Sequence, residues 1–314
     1  MFQQRNNIKF YSEDNDAPEK KMDFKSIMTT LNFIKESDSN LFSSCVFYIV
    51  WGGAKFNFAN VKTIQGKQNI LIWIADELGK VPSKNVQEQF DIVFKNHLRE
   101  EIPQCNVFSL PLFTPLENLP KRDKIITERE YDVFFSGCLN KNRILLLWGL
   151  QGIPGSIAKF LYKLSCVKGV GRLVSKIYCG KNYDYSYKIT NSIIKFTDGF
   201  YHGYSPMTYA KLTAKAKIIL NPRGFHSTEC FRMYEAMAAG CIVISETLPP
   251  LNIYKNIPVI QVGNWSSLYG LVRTILSDST KMRDMSEKTS QFYEEHLSNS
   301  GIALYMKKII KNNI

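Results

Sequence analysis

The chain has 314 residues, of which 45% are hydrophobic and 22% charged, and its net charge is +12. These proportions are typical of a folded globular protein, and the length allows two α/β domains with a core each. The positive charge suits an anionic ligand or surface. We expect no nucleic acid partner, because the basic residues are spread along the chain and form no recognisable nucleic-acid-binding module.

Cysteine usage and hydropathy indicate a cytoplasmic protein. The seven cysteines include no Cys-x-x-Cys pair and lie mostly in apolar segments, as reduced core residues do. The N-terminus lacks the apolar core of a signal peptide, and the longest apolar stretch, residues 41–54, is too short to span a bilayer. Residues 153–176 combine basic and apolar side chains, so peripheral membrane contact is an alternative to a packed helix with a solvated basic face.

The first 125 residues show the alternation of strands and helices that builds a parallel sheet. A helix is predicted at residues 24–34, and short apolar runs predict strands at 7–11, 45–50, 69–75, 92–95 and 106–110. Prolines at positions 111, 115 and 120 precede the charged run 121–124, which indicates a hinge. We therefore predict an N-terminal domain at residues 1–125.

The second half of the chain repeats this alternation. Strands are predicted at residues 131–136, 216–221, 241–245 and 257–262, and helices at 143–150, 206–217, 266–276 and 281–296. Ser205 and Pro206 form a typical helix start, and Gly240 suits the left-handed position that ends a helix. We predict a second α/β domain at residues 126–298, followed by a helix at 299–314 that is able to cross back to the first domain.

Residues 216–245 have the strand–loop–helix–strand pattern of an anion-binding unit. Ser227 or Thr228 is the predicted N-cap of the helix, whose free N–H groups and positive dipole end favour an anion. Thr228, Arg232 and Glu235 are spaced to share one face of that helix. An arginine can bind a phosphate with two donors, and a glutamate can accept from both hydroxyls of a ribose. An ordinary surface ion pair between Arg232 and Glu235 fits the same spacing.

Three segments resemble one enzyme family. Residues 222–245, which run from Pro-Arg-Gly through STECFRMYEAMAAGCIVI, are similar to the C-terminal signature of the exostosin-like glycosyltransferases. Residues 70–115 and 131–143 resemble that family's N-terminal strand series and the first strand and glycine loop of its donor domain. The resemblance covers about half the chain in the expected order. It implies the GT-B fold, in which two Rossmann-like domains with parallel sheets face each other across a cleft.

The resemblance also implies a binding site for a nucleotide-diphosphate sugar. The diphosphate is expected between the Ser136-Gly137 loop and the helix that begins near Thr228. Arginine side chains would neutralise it, and Glu235 would bind the ribose. Tyr183, Tyr185 and Tyr201 are candidates for stacking on the base, although packing roles fit them equally well. The predicted donor-binding residues are Ser136, Gly137, Arg143, Arg223, Gly224, Ser227, Thr228, Arg232 and Glu235.

The catalytic base is expected in the N-terminal domain. Asp76 and Glu77 follow the strand at 69–75 and match the family's Asp-Glu pair, and we prefer Asp76 as the base. The alternative is that both residues cap the next helix. His97 and Asp16 are weaker candidates for the base.

The pattern favours inverting chemistry without a metal or another resident cofactor. Retaining GT-B enzymes carry two glutamates eight positions apart, and Ser227 stands eight positions before Glu235. Asp14-Asn15-Asp16 imitates a metal-binding Asp-x-Asp motif but is interpreted as a turn, and the four histidines have no zinc spacing. The resemblance implies a UDP-sugar donor and a glycan, glycolipid or glycoprotein acceptor. A non-catalytic GT-B scaffold and a basic nucleic-acid-binding protein are the alternatives.

Overall fold

The computed structural model describes residues 7–12, 18–53, 55–114, 119–122, 124–152, 156–157, 160, 163, 182–183, 189, 191–199 and 202–313. The chain divides into two compact units. The first unit comprises Met1–Leu116, Pro249–Asn256 and Glu294–Ile314, and the second comprises Glu117–Leu248 and Ile257–Tyr293. The Asp14–Asp16 motif, Tyr185, Tyr201 and most of the basic segment 153–176 lie outside the described residues.

Eleven strands and nine α-helices lie within the described residues. The strands are β1 (Ile8–Ser12), β2 (Cys45–Trp51), β3 (Gln68–Ile74), β4 (Ile92–Lys95), β5 (Val107–Ser109), β6 (Tyr131–Cys138), β7 (Asn182–Tyr183), β8 (Ser192–Thr197), β9 (Ala216–Asn221), β10 (Ile242–Glu246) and β11 (Ile260–Val262). The helices are α1 (Pro18–Ser37), α2 (Ser39–Ser44), α3 (Lys84–Gln89), α4 (Ile144–Leu150), α5 (Pro206–Ala214), α6 (Phe231–Ala238), α7 (Leu268–Leu276), α8 (Ser279–Phe292) and α9 (Asn299–Asn312).

The first unit contains one sheet of five parallel strands in the order β1-β2-β3-β4-β5. The central strands β2, β3 and β4 are almost entirely buried, which explains their near-continuous apolar sequences. All five strands overlap the predicted positions, so the prediction of a parallel α/β sheet here is confirmed.

The C-terminal helix α9 is part of the first unit's core. Ile302, Met306 and Ile310 of α9 are fully buried in the same apolar cluster as Ile27 and Leu31 of α1. The Tyr305 hydroxyl of α9 also donates to the Ser109 carbonyl at 2.8 Å. Burial of these side chains fixes α9 against the sheet formed by the first 110 residues.

The second unit contains a sheet in the order β11-β10-β9-β6-β8-β7, in which only the short β7 is antiparallel among the described strands. The first strand of this unit, β6, has β8 on one side and β9 on the other. After β6 the chain adds β8 on one side of it and then adds β9, β10 and β11 on the other side. The strand order therefore reverses between β6 and β9. In open α/β sheets, ligands bind at such a switch point, outside the carboxyl ends of the strands.

Helices α4, α5, α7 and α8 of the second unit overlap their predicted positions. Ser205 caps α5 by accepting from the Thr208 N–H, and Pro206 occupies the first turn, as predicted. Gly240 has φ +65° after α6, which confirms its predicted left-handed position. In the part of the chain that the structure describes, no helix is long and apolar enough to cross a membrane.

Candidate functional site

Two arginines from different parts of the second unit meet at the carboxyl end of β6. A Cβ atom added at Gly137 would lie 2.7 Å from Nη2 of Arg232 and 2.8 Å from Nη1 of Arg143. Arg232 lies in the first turn of α6, and Arg143 directly precedes α4. Only a residue without a side chain leaves space for both guanidinium groups. We call these two residues the arginine pair.

Backbone carbonyls and an aromatic ring hold the arginine pair in place. Arg143 donates from Nη1 to the Cys138 carbonyl at 2.8 Å and from Nε to the Arg223 carbonyl at 3.2 Å. Arg232 donates from Nη2 to the Ser136 carbonyl at 3.1 Å. Both guanidinium groups lie over the Phe135 ring, at 6.0 Å for Arg143 and 4.9 Å for Arg232.

The electrostatics of the arginine pair favour an anion. Burial, together with the neighbouring positive charge of Arg232, lowers the pKa of Arg143 to about 10. The Nε and Nη1 atoms of Arg232 are buried and have no hydrogen-bond partner among the described residues. Two adjacent cations, one of them with unsatisfied donors, are costly in isolation, and a phosphate would provide both the opposite charge and the acceptors.

Glu235 and Tyr209 flank Arg232. Glu235 lies one turn further along α6 and is half-buried; its burial raises the pKa of the carboxyl to about 7, while Arg232 lowers it. Burial also raises the pKa of the Tyr209 phenol in α5, and the neighbouring Arg232 acts in the opposite direction. No sequence pattern indicated a role for Tyr209, because its position beside Arg232 depends on how α5 packs against α6.

The prediction that Ser227 or Thr228 caps helix α6 was wrong. The helix begins at Phe231, and its N-cap is Cys230, which makes no side-chain capping bond. The Ser227 Oγ instead accepts from the Glu229 N–H at 3.1 Å, inside the preceding loop. Both predicted caps are buried in this loop, where local side-chain bonds compete with helix capping. Thr228 therefore does not share the helical face of Arg232 and Glu235.

The remaining predicted donor residues lie around the arginine pair with different exposures. Ser136 is buried at the end of β6, and its carbonyl binds Arg232. Arg223 is exposed, and it contacts Arg143 and Glu246 through its backbone. Gly224 is half-buried and donates to the Ser227 carbonyl at 2.8 Å. Tyr183 lies on β7.

Asp76 and Glu77 have opposite environments at the carboxyl end of β3 in the first unit. Asp76 is 1% exposed, and its Oδ2 accepts from Lys95 Nζ at 2.9 Å and from the Lys80 N–H at 3.2 Å. Glu77 is exposed. The Gly79 N–H donates to the Asp76 carbonyl at 3.0 Å, which closes a tight turn with Glu77 near its tip.

Of the two weaker candidates for the base, only His97 lies within the described residues. His97 is buried after β4 with φ +60°. Within the described ranges, no group of three or more His, Cys, Asp or Glu side chains is placed to hold a metal ion.

Comparison with solved structures identifies the fold. No protein-family model matches this sequence, and no curated protein matches it. Anabaena HepE, solved with UDP and glucose, aligns with 97% of this chain and 99% of its own at 9% identity and a TM-score of 0.52. A variant of S. aureus TarM, solved with fondaparinux, alpha-GlcNAc-glycerol and UDP, aligns with 90% of this chain and 58% of its own at 12% identity and a TM-score of 0.52. The chain therefore has the predicted GT-B fold.

Proposed function

We propose that this protein is a glycosyltransferase that moves a sugar from a nucleotide-diphosphate donor, a UDP-sugar, to a hydroxyl group. The observation that carries the proposal is the arginine pair at the switch point of the second sheet. Its two positive charges and the unsatisfied donors of Arg232 match the charge and hydrogen-bonding capacity of a diphosphate. UDP in the solved structures of HepE and TarM supports this choice of nucleotide.

The donor would bind along the amino-terminal half of α6. Arg143 and Arg232 would hold the diphosphate, whose oxygens can approach the backbone closely at Gly137. Glu235, one helical turn beyond Arg232, would accept hydrogen bonds from the ribose hydroxyls. An ionised carboxylate has only acceptor atoms, which suits two hydroxyl donors. Because the pKa of Glu235 is about 7, ribose binding should be most favourable above that pH.

Sugar transfer needs compensation for the negative charge that develops on the leaving diphosphate. In the proposed mechanism, the arginine pair provides this compensation in a partly desolvated site, so no divalent ion is required. Donors of this kind typically contribute about 3 kcal/mol of transition-state stabilisation each. Metal independence is part of the proposal and is tested directly by adding a chelator.

We assign the reaction to the inverting branch, with the acceptor hydroxyl deprotonated by the Asp76-Glu77 pair. Ser227 occupies the position where retaining GT-B enzymes have a glutamate, which supports inversion. Of the two carboxylates, exposed Glu77 is the better candidate, because a base must reach the proton that it removes. Asp76 is buried against Lys95, which suits a residue that holds the turn.

The acceptor class follows from the resemblance to exostosin-like enzymes and from the basic charge. We propose a glycan, glycolipid or glycoprotein acceptor, and sugar donors such as UDP-linked xylose, glucuronate, galactose or N-acetylglucosamine. The net charge of +12 favours acceptors that carry acidic groups.

A thermal-shift screen against UDP-, GDP-, CMP- and dTDP-linked sugars, with and without EDTA, tests the proposal. A ligand present at 100 times its Kd adds about 2.7 kcal/mol of apparent stability. We expect stabilisation by UDP compounds that persists with EDTA and is lost in Arg232→Ala. Donor turnover then separates an enzyme from a non-catalytic scaffold, which would bind UDP without hydrolysing or transferring the sugar. Absence of stabilisation by every nucleotide would refute the donor site.

A further inference from the structure

An exposed aromatic residue lies beside the arginine pair, on the loop between β9 and α6. The Gly224 N–H donates to the Ser227 carbonyl at 2.8 Å and closes a tight turn. Phe225 and His226 form the tip of this turn, and Phe225 is 52% exposed. Single exposed hydrophobic side chains are common on protein surfaces, so the position of Phe225 beside the arginine pair matters more than its exposure.

The residues directly before α4, which include Arg143, also hold the turn that carries Phe225. The Asn142 side chain donates from Nδ2 to the Gly224 carbonyl at 2.7 Å and to the Phe225 carbonyl at 3.0 Å. The next residue, Arg143, donates from Nε to the Arg223 carbonyl at 3.2 Å. Hydrogen bonds therefore hold the backbone carbonyls of Arg223, Gly224 and Phe225. One of these bonds comes from Arg143, a member of the arginine pair.

We propose that Phe225 is the residue against which the transferred sugar packs, which makes it a determinant of donor specificity. This inference rests on the proposed function, because it requires a diphosphate at the arginine pair. The turn directly follows β9, the neighbour of β6, so it lies at the same edge of the sheet as the arginine pair. One face of a pyranose ring carries C–H groups that pack against the face of an aromatic ring. The nucleotide without its sugar would make no such contact.

The proposal predicts that Phe225 discriminates between UDP and a UDP-sugar. We expect Phe225→Ala to leave the Kd for UDP within about twofold and to weaken binding of a UDP-sugar by about tenfold, the effect of one aromatic packing contact. Phe225→Tyr keeps the ring and should retain wild-type affinity for both ligands. Met207→Ala is the control, because Met207 is also exposed, at 62%, and lies in the same unit.

The experiment is calorimetric titration of the full-length protein and the three variants with UDP, UDP-glucose, UDP-xylose, UDP-glucuronate and UDP-N-acetylglucosamine. The UDP-sugar that binds wild type most tightly is compared with UDP. Equal weakening of both ligands in Phe225→Ala, or no weakening of either, overturns the assignment of Phe225 while leaving the donor site intact. Failure of the wild-type protein to bind UDP overturns the proposed function and the assignment of Phe225 with it.

Discussion

Gly137→Ala is the substitution that most directly tests the arginine pair. The new Cβ would lie 2.7 Å from Arg232 and 2.8 Å from Arg143, closer than carbon and nitrogen atoms normally approach. Both contacted atoms are the ends of flexible side chains, so we expect the guanidinium groups to move and the backbone to stay. The displaced groups would lose their hydrogen bonds to the Ser136 and Cys138 carbonyls.

The cost of this change in stability is modest. Overpacking costs about 1–3 kcal/mol, and the lower entropy of the unfolded alanine chain offsets about 0.4–1 kcal/mol. A net loss of about 1–2 kcal/mol corresponds to a fall in Tm of roughly 1.5–3 °C for a protein of this size. The effect on ligand binding should be larger, because charge-assisted hydrogen bonds contribute about 1.5–3 kcal/mol each. We therefore expect affinity for UDP to fall by about 10- to 100-fold.

The assay is thermal denaturation of Gly137→Ala, followed by calorimetric titration with UDP at a temperature where the variant is folded. Gly263→Ala is the matched control, because a Cβ at Gly263 has no atom within 4 Å. The control should bind UDP with wild-type affinity. A folded Gly137→Ala protein with wild-type affinity for UDP would show that the diphosphate does not bind at the arginine pair.

Three further predictions concern single side chains. Arg232→Ala should weaken UDP binding by at least tenfold in calorimetry, and Arg232→Lys should restore only part of it, because lysine lacks the two-donor geometry; unchanged affinity would contradict this. The pKa of Glu235 is about 7 in the folded state and about 4.5 in the unfolded state, so the folded state keeps the proton to higher pH. The stability that protonated Glu235 contributes is therefore complete below pH 4.5 and is lost as the pH rises through about 7. Glu235→Gln should therefore reduce the fall in urea-measured stability between pH 5 and 8 by about 1–3 kcal/mol, and an unchanged pH profile would show that the carboxyl is not desolvated. Glu77→Gln should leave Tm and UDP affinity unchanged but slow sugar transfer about 100-fold. Asp76→Asn should instead destabilise the protein by about 3–5 kcal/mol, because it removes the carboxylate that balances the charge of buried Lys95. The opposite pattern would assign the base to Asp76.

The strands and their parallel arrangement could be predicted from sequence because the signal is local. A strand buried on both faces needs a short, continuous apolar run, and residues 92–95 and 216–221 were predicted with the observed bounds. Gly240 was predictable for the same kind of reason, since a left-handed residue after a helix favours glycine. The start of α6 could not be predicted, because the Ser227 hydroxyl binds within its own loop and Cys230 occupies the N-cap.

The geometry of the candidate site depends on contacts between residues that are distant in sequence. Arg143 and Arg232 were both predicted as donor-binding residues, but their meeting at Gly137 requires β6 to lie beside β9 at the switch point. The different environments of Asp76 and Glu77 are likewise set by Lys95, which reaches Asp76 from the neighbouring strand. Sequence alone determined which segments are buried, because burial follows from the polarity of each residue. Only the tertiary structure determined which charged groups share a site, because electrostatic interaction depends on distances in space.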